Sequence, residues 1–194
     1  SGVIVPAFLA SIIGYSIFGL FEGFSPVFAE TAIFWSVYQI PFFLLLGLIC
    51  AVYGWLYVTS FYRIHDLFAV LVTRYHIPRF IKPVTGAFLT GMIVILLSLF
   101  VPFGTELGLG SLGSGYGFVQ LALYSMLPLA VLVLLPFLKI LTTSLTIGSG
   151  GSGGVFAPGL VIGGMIGGMC GVILNLIFPS FFPPETIPAF VIIG

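Results

Sequence analysis

Long apolar runs separated by short polar stretches set the pattern of the chain. Residues 3–20 carry no charge and match the roughly 20 residues that cross a bilayer as a helix. Residues 37–62 continue into the amphipathic stretch "RIHDLFAVLVTRY", which predicts one long, tilted helix. Further apolar runs cover residues 83–101, 118–147 and 155–178. The pattern predicts an all-α, polytopic membrane protein.

Two features interrupt this pattern in the second half of the chain. Pro128 and Pro136 lie inside the run 118–147 and predict a broken helix, because proline lacks the N–H that an interior helical position donates. The stretch "FGTELGLGSLGSGYG" precedes that run and predicts a glycine-rich loop. The expected fold therefore contains partly broken as well as tilted helices.

The composition agrees with lipid as the main solvent. The chain is 60% hydrophobic and 5% charged, whereas about a quarter of the residues of an ordinary soluble domain are charged. Its formal net charge is zero, which points away from nucleic acid as a partner. Cys50 and Cys170 both lie inside apolar runs, and we interpret them as small packing residues.

The few charged residues are segregated along the chain. Four basic residues fall between the second and third apolar runs: Arg63, Arg74, Arg79 and Lys82. Four acidic residues fall in the other connections: Glu22, Glu30, Glu106 and Glu185. Because cytoplasmic connections carry an excess of lysine and arginine, residues 63–82 are expected in the cytoplasm and the glutamates on the outer side.

Lys139 is the one charged residue that falls within an apolar run. A charge at membrane depth marks a functional residue by default. A lysine can instead extend its ammonium group to the membrane surface along its apolar stem. The sequence leaves both interpretations of Lys139 open.

The stretch "TIGSGGSGGVFAPGL", residues 146–160, places glycines and serines between two membrane-length runs. Residues 148–153 fit the spacing of a dinucleotide-binding glycine motif, but no acidic residue follows at the required distance. No Gly-Lys-Ser/Thr follows either, which excludes a phosphate-binding P-loop. An artificial linker is disfavoured, because glycines continue through the next apolar run: Gly159, Gly163, Gly164, Gly167, Gly168 and Gly171.

Those later glycines leave a tightly packed helix as one interpretation, because small residues let neighbouring backbones approach closely in lipid. A second interpretation starts from Pro158, which suits the first turn of a helix beginning near Val155. The first N–H groups of a helix have no acceptor within it, and they bind anions well. Residues Gly154, Val155, Phe156, Ala157 and Pro158 are therefore the candidate anion-binding segment. No metal site is expected.

The same five residues match the G-x-F-x-P motif of the CLC family of chloride channels and chloride/proton antiporters, which this segment closely resembles. The flanking "KILTTSLTIGSG" and the glycine-rich run after the motif are also similar to that family. More loosely, the whole chain, residues 1–194, resembles the middle of a CLC membrane domain. Residues 1–21 would be the last helix of its first half. Residues 36–194 would begin its second half and end inside it.

This resemblance implies a fold of two inverted halves, with chloride as the transported substrate and no cofactor. It implies that the backbone amides of Val155 and Phe156 contact the anion. It also implies a homodimer in which residues 3–20 contribute to the subunit interface. The family's G-S-G-x-P and G-[KR]-E-G-P motifs and its pore tyrosine match nothing in this chain, and they are expected upstream and downstream of it. Neither Glu22 nor Glu30 lies in the gating motif.

Two other functions fit parts of the pattern. A sulfate or bicarbonate carrier built on inverted repeats can also point helix N-termini at an anion. A non-transporting membrane scaffold would use the glycines for packing alone. An enzyme is not expected, because the apolar runs contain no set of nucleophile and base or of paired carboxylates. The sequence does not distinguish a channel from a proton-coupled antiporter.

Overall fold

The computed structural model describes residues 4–24, 26, 28, 33–76, 78 and 80–194, and the described residues form helices without strands. The α-helices are α1 (Ile4–Glu22), α2 (Ile40–Tyr75), α3 (Ile81–Phe100), α4 (Gly104–Ser111), α5 (Tyr116–Leu123), α6 (Leu129–Gly148), α7 (Phe156–Ile177) and α8 (Ile187–Ile193). Short 3-10 turns, Val37–Gln39 and Pro184–Thr186, precede α2 and α8. Among the described helices, five are long and apolar enough to cross a membrane. The predicted all-α polytopic fold is confirmed.

The chain divides into two compact units, Ser1–Glu30 and Thr31–Gly194. The first unit contains α1, in which Gly19 is the only buried residue. The ring of Tyr15 lies edge-on to that of Phe24, with their centroids 5.8 Å apart. The helix is therefore apolar on all sides, which is typical of a helix surrounded by lipid or by other protein segments.

Helix α2 confirms the long helix that the second apolar run predicts. It contains 36 residues, and at 1.5 Å per residue it is about 54 Å long. The hydrocarbon core of a bilayer is only about 30 Å thick, so the helix must tilt or project beyond it. Arg63 and Arg74 lie on this helix, whereas Arg79 and Glu30 fall outside the described residues.

Helices α6 and α7 form the centre of the second unit. In the most apolar 18-residue stretch of each of these two helices, half of the residues are buried, compared with 6% in α2 and 11% in α3. Helix α6 packs against α2, α3, α4 and α7, and α7 packs against α5 and α8 as well. The central apolar cluster contains Leu46, Ile140, Ile162, Ile166, Phe182 and Phe190. Cys50 and Cys170, which pack against it, are free thiols, in agreement with the sequence prediction.

The predicted glycine-rich loop is wrong over Gly104–Ser111, which forms α4. Glycine is a weak helix former, but here it permits a close approach to α3. A Cβ at Gly108 would lie 2.9 Å from Val94 Cγ1, and a Cβ at Gly104 would overlap the Leu97 carbonyl. Packing against α3 therefore overrides the local preference of this glycine-rich segment.

The predicted breaks at the two prolines have different outcomes. Pro128 precedes α6 in an extended conformation, and it separates α6 from α5 as predicted. Pro136, in contrast, lies inside an uninterrupted α6 and is fully buried, so the break predicted there is wrong. Proline is tolerated within a membrane helix that packs against other helices, and α6 packs against α2, α3, α4 and α7.

Candidate anion site at the start of helix α7

The first glycines of the 148–154 segment end helix α6. Gly150 has a φ of +96°, a value that glycine adopts readily. Its N–H donates to the Ile147 carbonyl (2.9 Å), and the N–H of Gly151 donates to the Thr146 carbonyl (3.0 Å). These two bonds make a Schellman motif, which pairs the last carbonyls of a helix. This part of the segment is a helix cap with its polar groups paired.

The following residues leave their donors unpaired. Within the described residues, no backbone N–H from Ser152 to Ala157 donates a hydrogen bond to the protein. Val155 is the N-cap of α7 and has no capping side-chain bond, and Pro158 lies in the first turn. The predicted start of the helix near Val155 is therefore confirmed. A row of bare N–H groups stands at the positive end of the α7 dipole.

A cavity of about 370 Å³ lies beside this helix end. Gly153, Gly154, Ala157 and Pro158 form one of its walls. Hydroxyl-bearing residues contribute most of the other polar lining: Thr90, Ser111, Ser114, Thr142, Thr143, Thr146 and Ser152. Hydroxyl and amide N–H groups donate hydrogen bonds without carrying a full charge, so the cavity suits a small anion that must also be released.

Several of these hydroxyls are already engaged with the helices behind them. Thr146 Oγ1 donates to the Thr142 carbonyl at 2.8 Å and lies 3.4 Å from Thr90 Oγ1. Ser111 Oγ donates to the Gly108 carbonyl at 2.8 Å. Thr143 is 7% exposed, and in the described part of the chain its hydroxyl has no hydrogen-bond partner. Among the described residues, the hydroxyls of Thr143, Ser114 and Ser152 are therefore the lining hydroxyls that remain free to bind a solute.

Val155 and Phe156 lie outside the lining of this cavity. Their side chains are 52% and 76% exposed. The Val155 carbonyl accepts a hydrogen bond from Tyr57 Oη (3.3 Å) and one from the Gly159 N–H (3.4 Å). The structure thus brings Gly154, Ala157 and Pro158 to the hydroxyl-lined cavity and leaves Val155 and Phe156 on the exposed side of the same helix end.

Lys139 does not extend to a membrane surface, so the surface interpretation of this residue is wrong. Its side chain is 1% exposed. The three N–H groups of its Nζ are shared among four carbonyls, those of Gly113 (2.8 Å), Ser111 (3.3 Å), Leu112 (3.3 Å) and Gly110 (3.5 Å). These carbonyls belong to the end of α4 and the residues after it. The sequence marked the lysine as unusual, but its partners come from a helix that the sequence predicted as a loop.

The later glycines of α7 have a separate role in packing. Gly163 and Gly167 lie against the backbone of α8, where a Cβ would overlap carbonyl oxygens of Gly194 and Phe190. Gly168 faces Leu132 of α6, and a Cβ at Gly168 would lie 3.1 Å from Leu132 Cδ2. The tight-packing interpretation is therefore correct for the body of α7. It does not extend to Gly154, whose Cβ position has no neighbour within 4 Å.

Comparison with known proteins agrees with this architecture. The sequence model of the family described as voltage gated chloride channel matches residues 1–194. An uncharacterized protein of Methanocaldococcus jannaschii is 30% identical over 161 residues, which cover 82% of this chain and 37% of that protein. The chain therefore spans about a third of the length of this relative.

Proposed function

The chain belongs to the voltage-gated chloride channel family, and from that premise we propose that the protein containing it transports chloride across a membrane. The anion is held by backbone amides at the start of α7, with Val155 and Phe156 as donors. Gly154, Ala157 and Pro158 form the adjoining wall. Chloride is the substrate, and no cofactor takes part.

The unpaired amides from Ser152 to Ala157 are the observation that carries this proposal. Burying an isolated ion in an apolar medium costs tens of kcal/mol by an idealised estimate, so several donors must replace its water. Conduction requires that the anion can leave its site, and amide dipoles hold it through partial charges only. The segment 148–158 contains no lysine or arginine, so its amides would supply partial charges only.

The rival functions explain less of this geometry. A scaffold accounts for Gly163 and Gly167, which pack against α8, but it leaves the N–H groups from Ser152 to Ala157 without a role. A sulfate or bicarbonate carrier could use such amides, but it does not account for the G-x-F-x-P sequence and its flanks. Chloride transport accounts for the family, the motif and the bare amides together.

The test is ion flux through the full-length protein in lipid vesicles. With a potassium ionophore present, we expect chloride efflux that greatly exceeds sulfate efflux. Sulfate flux equal to or above chloride flux would favour the carrier, and the absence of any anion flux would favour the scaffold. Proton uptake driven by a chloride gradient would identify an antiporter rather than a channel.

A matched pair of substitutions links the flux to the site. Gly154→Ala and Gly159→Ala each place a methyl group where no atom lies within 4 Å. Gly154 lines the cavity and Gly159 does not. We expect Gly154→Ala to change the ratio of chloride to nitrate flux and Gly159→Ala to leave it near that of the wild type. An equal change in both variants would argue against an anion site at Gly154.

We also propose that residues 63–82 face the cytoplasm and that Glu22, Glu30, Glu106 and Glu185 lie on the outer side of the membrane. The segregated charges support this orientation. In a background without Cys50 and Cys170, an impermeant thiol reagent on intact cells should label Glu22→Cys. It should label Arg74→Cys only after permeabilisation. The reverse result would invert the topology.

Finally, we propose that the protein is a homodimer and that residues 3–20 contribute to its interface. Apolar side chains are exposed around α1, including Phe8 (67%) and Ile12 (48%). In the full-length protein, Ile12→Trp should shift the equilibrium toward monomers. Leu99→Trp, on the exposed surface of α3 (71%), serves as the control and should not. Dimerisation that survives Ile12→Trp and similar changes along α1 would exclude this interface.

A further inference from the structure

Helix α4 ends inside the protein, where its last carbonyl groups need partners because water is scarce. The Gly108 carbonyl accepts from Ser111 Oγ (2.8 Å), and the Leu109 carbonyl accepts from the Leu112 N–H (3.3 Å). The last two helical carbonyls, those of Gly110 and Ser111, accept from Lys139 Nζ. Each of the four terminal carbonyls of α4 therefore has a donor within 3.5 Å.

The lysine also binds beyond the helix, where the chain turns toward α5. Its shortest bond, 2.8 Å, is to the Gly113 carbonyl, and it lies 3.3 Å from that of Leu112. Leu112, Gly113 and Ser114 line the cavity beside α7. One ammonium group thus joins α6 to a segment that lines the cavity beside α7.

We propose that Lys139 is a positioning residue that holds the α4–α5 connection in place as a wall of the anion cavity. A cation at a helix C-terminus is stabilised by the carbonyl ends of the backbone dipoles. Within the described residues, all the hydrogen-bond partners of its Nζ are backbone carbonyls. The lysine therefore acts on this wall through the backbone of residues 110–113.

The surroundings of Lys139 fit a fixed position. Gly115 has a φ of +78°, and a Cβ there would lie 3.3 Å from Nζ and 3.2 Å from the Gly110 carbonyl oxygen. Thr142, one turn after the lysine on α6, places its Oγ1 3.0 Å from the Ser111 carbonyl. A second polar contact thus lies between α6 and the same end of α4, and the Thr142 hydroxyl shares it with the Leu138 carbonyl of its own helix (3.0 Å). The glycine at position 115 leaves room for the ammonium group.

The test compares the two walls of the cavity in the full-length protein. Ser114 lies on the wall that Lys139 binds, and Ser152 lies on the α7 wall, which Lys139 does not contact. Both side chains are exposed, so each can be replaced by cysteine in a background without Cys50 and Cys170. The rate of thiol labelling by a small water-soluble methanethiosulfonate reagent then reports the local freedom of each wall.

We expect Lys139→Met to raise the labelling rate at Ser114→Cys by about tenfold, which corresponds to about 1.4 kcal/mol, and to change that at Ser152→Cys little. Lys139→Arg retains a cation with several donors and should stay close to the wild type. Equal increases at both positions would mean general loosening and would overturn the proposal. An unchanged rate at Ser114→Cys, or no labelling at either position, would overturn it as well.

If Lys139→Met does not fold, Lys139→Gln replaces it, because its amide keeps two N–H donors. In the Lys139→Gln variant, the labelling rate at Ser114→Cys should exceed that in the arginine variant by less than about tenfold. Failure of both variants to fold would contradict a local role.

The inference rests on the proposed function for the identity of the solute, but the labelling rates do not depend on that function. If the wild-type protein shows no chloride flux but the labelling rates are as expected, the proposed function is wrong and the positioning role of Lys139 still holds.

Discussion

Two helix ends that line the same cavity differ in the hydrogen-bond pairing of their terminal backbone groups. At the C-terminus of α4, each of the last four carbonyls has a donor within 3.5 Å, and for two of them that donor is the buried Lys139. At the N-terminus of α7, no N–H from Ser152 to Ala157 has a partner among the described residues. Among the described residues, the protein therefore supplies a cation for the carbonyl end and no hydrogen-bond acceptor for the amide end.

The contrast indicates where a ligand is expected. The bare end is open to an external partner, because residues 152–156 are exposed and their N–H groups have no acceptor among the described residues. Amide donors at the positive end of α7 select an anion. The carbonyls of α4 would repel the same anion if the lysine did not bind them.

The largest expected effect concerns the paired end. Gly115→Ala should lower the free energy of unfolding by about 2–3 kcal/mol. The left-handed backbone alone costs about 1–2 kcal/mol, and the methyl group would crowd Val161 (3.0 Å) and Lys139. Gly113→Ala is the control, because Gly113 has a φ of +53° and open space around its Cβ position. Thermal unfolding in detergent should separate the two. Equal destabilisation would show that Lys139 tolerates displacement.

A second prediction separates the two parts of the glycine segment. A Cβ at Gly151 would lie 2.6 Å from the Thr146 carbonyl oxygen and would break the cap of α6, at a cost of about 1–2 kcal/mol. A Cβ at Gly154 meets no atom within 4 Å. Gly151→Ala should therefore lower the unfolding temperature, and Gly154→Ala should not. If Gly154→Ala is the less stable variant, the division between a cap and an open amide row is incorrect.

The smallest effect is expected at Tyr57, which positions the start of α7. Tyr57→Phe removes the hydrogen bond to the Val155 carbonyl, and such bonds in membrane proteins contribute about 0.6 kcal/mol on average. We expect a small fall in unfolding temperature and a measurable change in anion selectivity. Tyr62→Phe, on the exposed surface of α2, is the control and should change neither. A selectivity change of similar size in both variants would exclude a specific role for Tyr57.

Local patterns predicted the long elements and the start of α7 correctly. The apolar runs gave the five spanning helices, because lipid requires long, uncharged segments whose backbone pairs internally. Pro158 and the preceding glycines predicted the start of α7, because those residues favour a helix N-terminus through their own backbone chemistry. Both signals lie within a few turns of the features they predict.

The partners of Lys139 and the helical state of Gly104–Ser111 could not be predicted in this way. Helix α4 depends on packing against Val94 and Leu97 of α3, and glycines without that contact favour a loop. Because α4 was predicted as a loop, no helix C-terminus was expected near Lys139. The hydroxyl-lined cavity likewise needs α3, α6 and the α4–α5 connection to come together, which depends on tertiary contacts that the order of residues along the chain does not reveal.

The most direct test of the bare amide end is a crystal structure of the full-length protein soaked in bromide. We predict an anomalous peak within hydrogen-bonding distance of the Val155 and Phe156 nitrogens, and none at the carbonyls of Gly110, Ser111 and Gly113. Bromide displaces chloride from such sites, so the peak should weaken when chloride is added back. If protein carbonyls instead cap the nitrogens at the start of α7 and the bromide peaks lie elsewhere, the helix end is a packing feature and not an anion site.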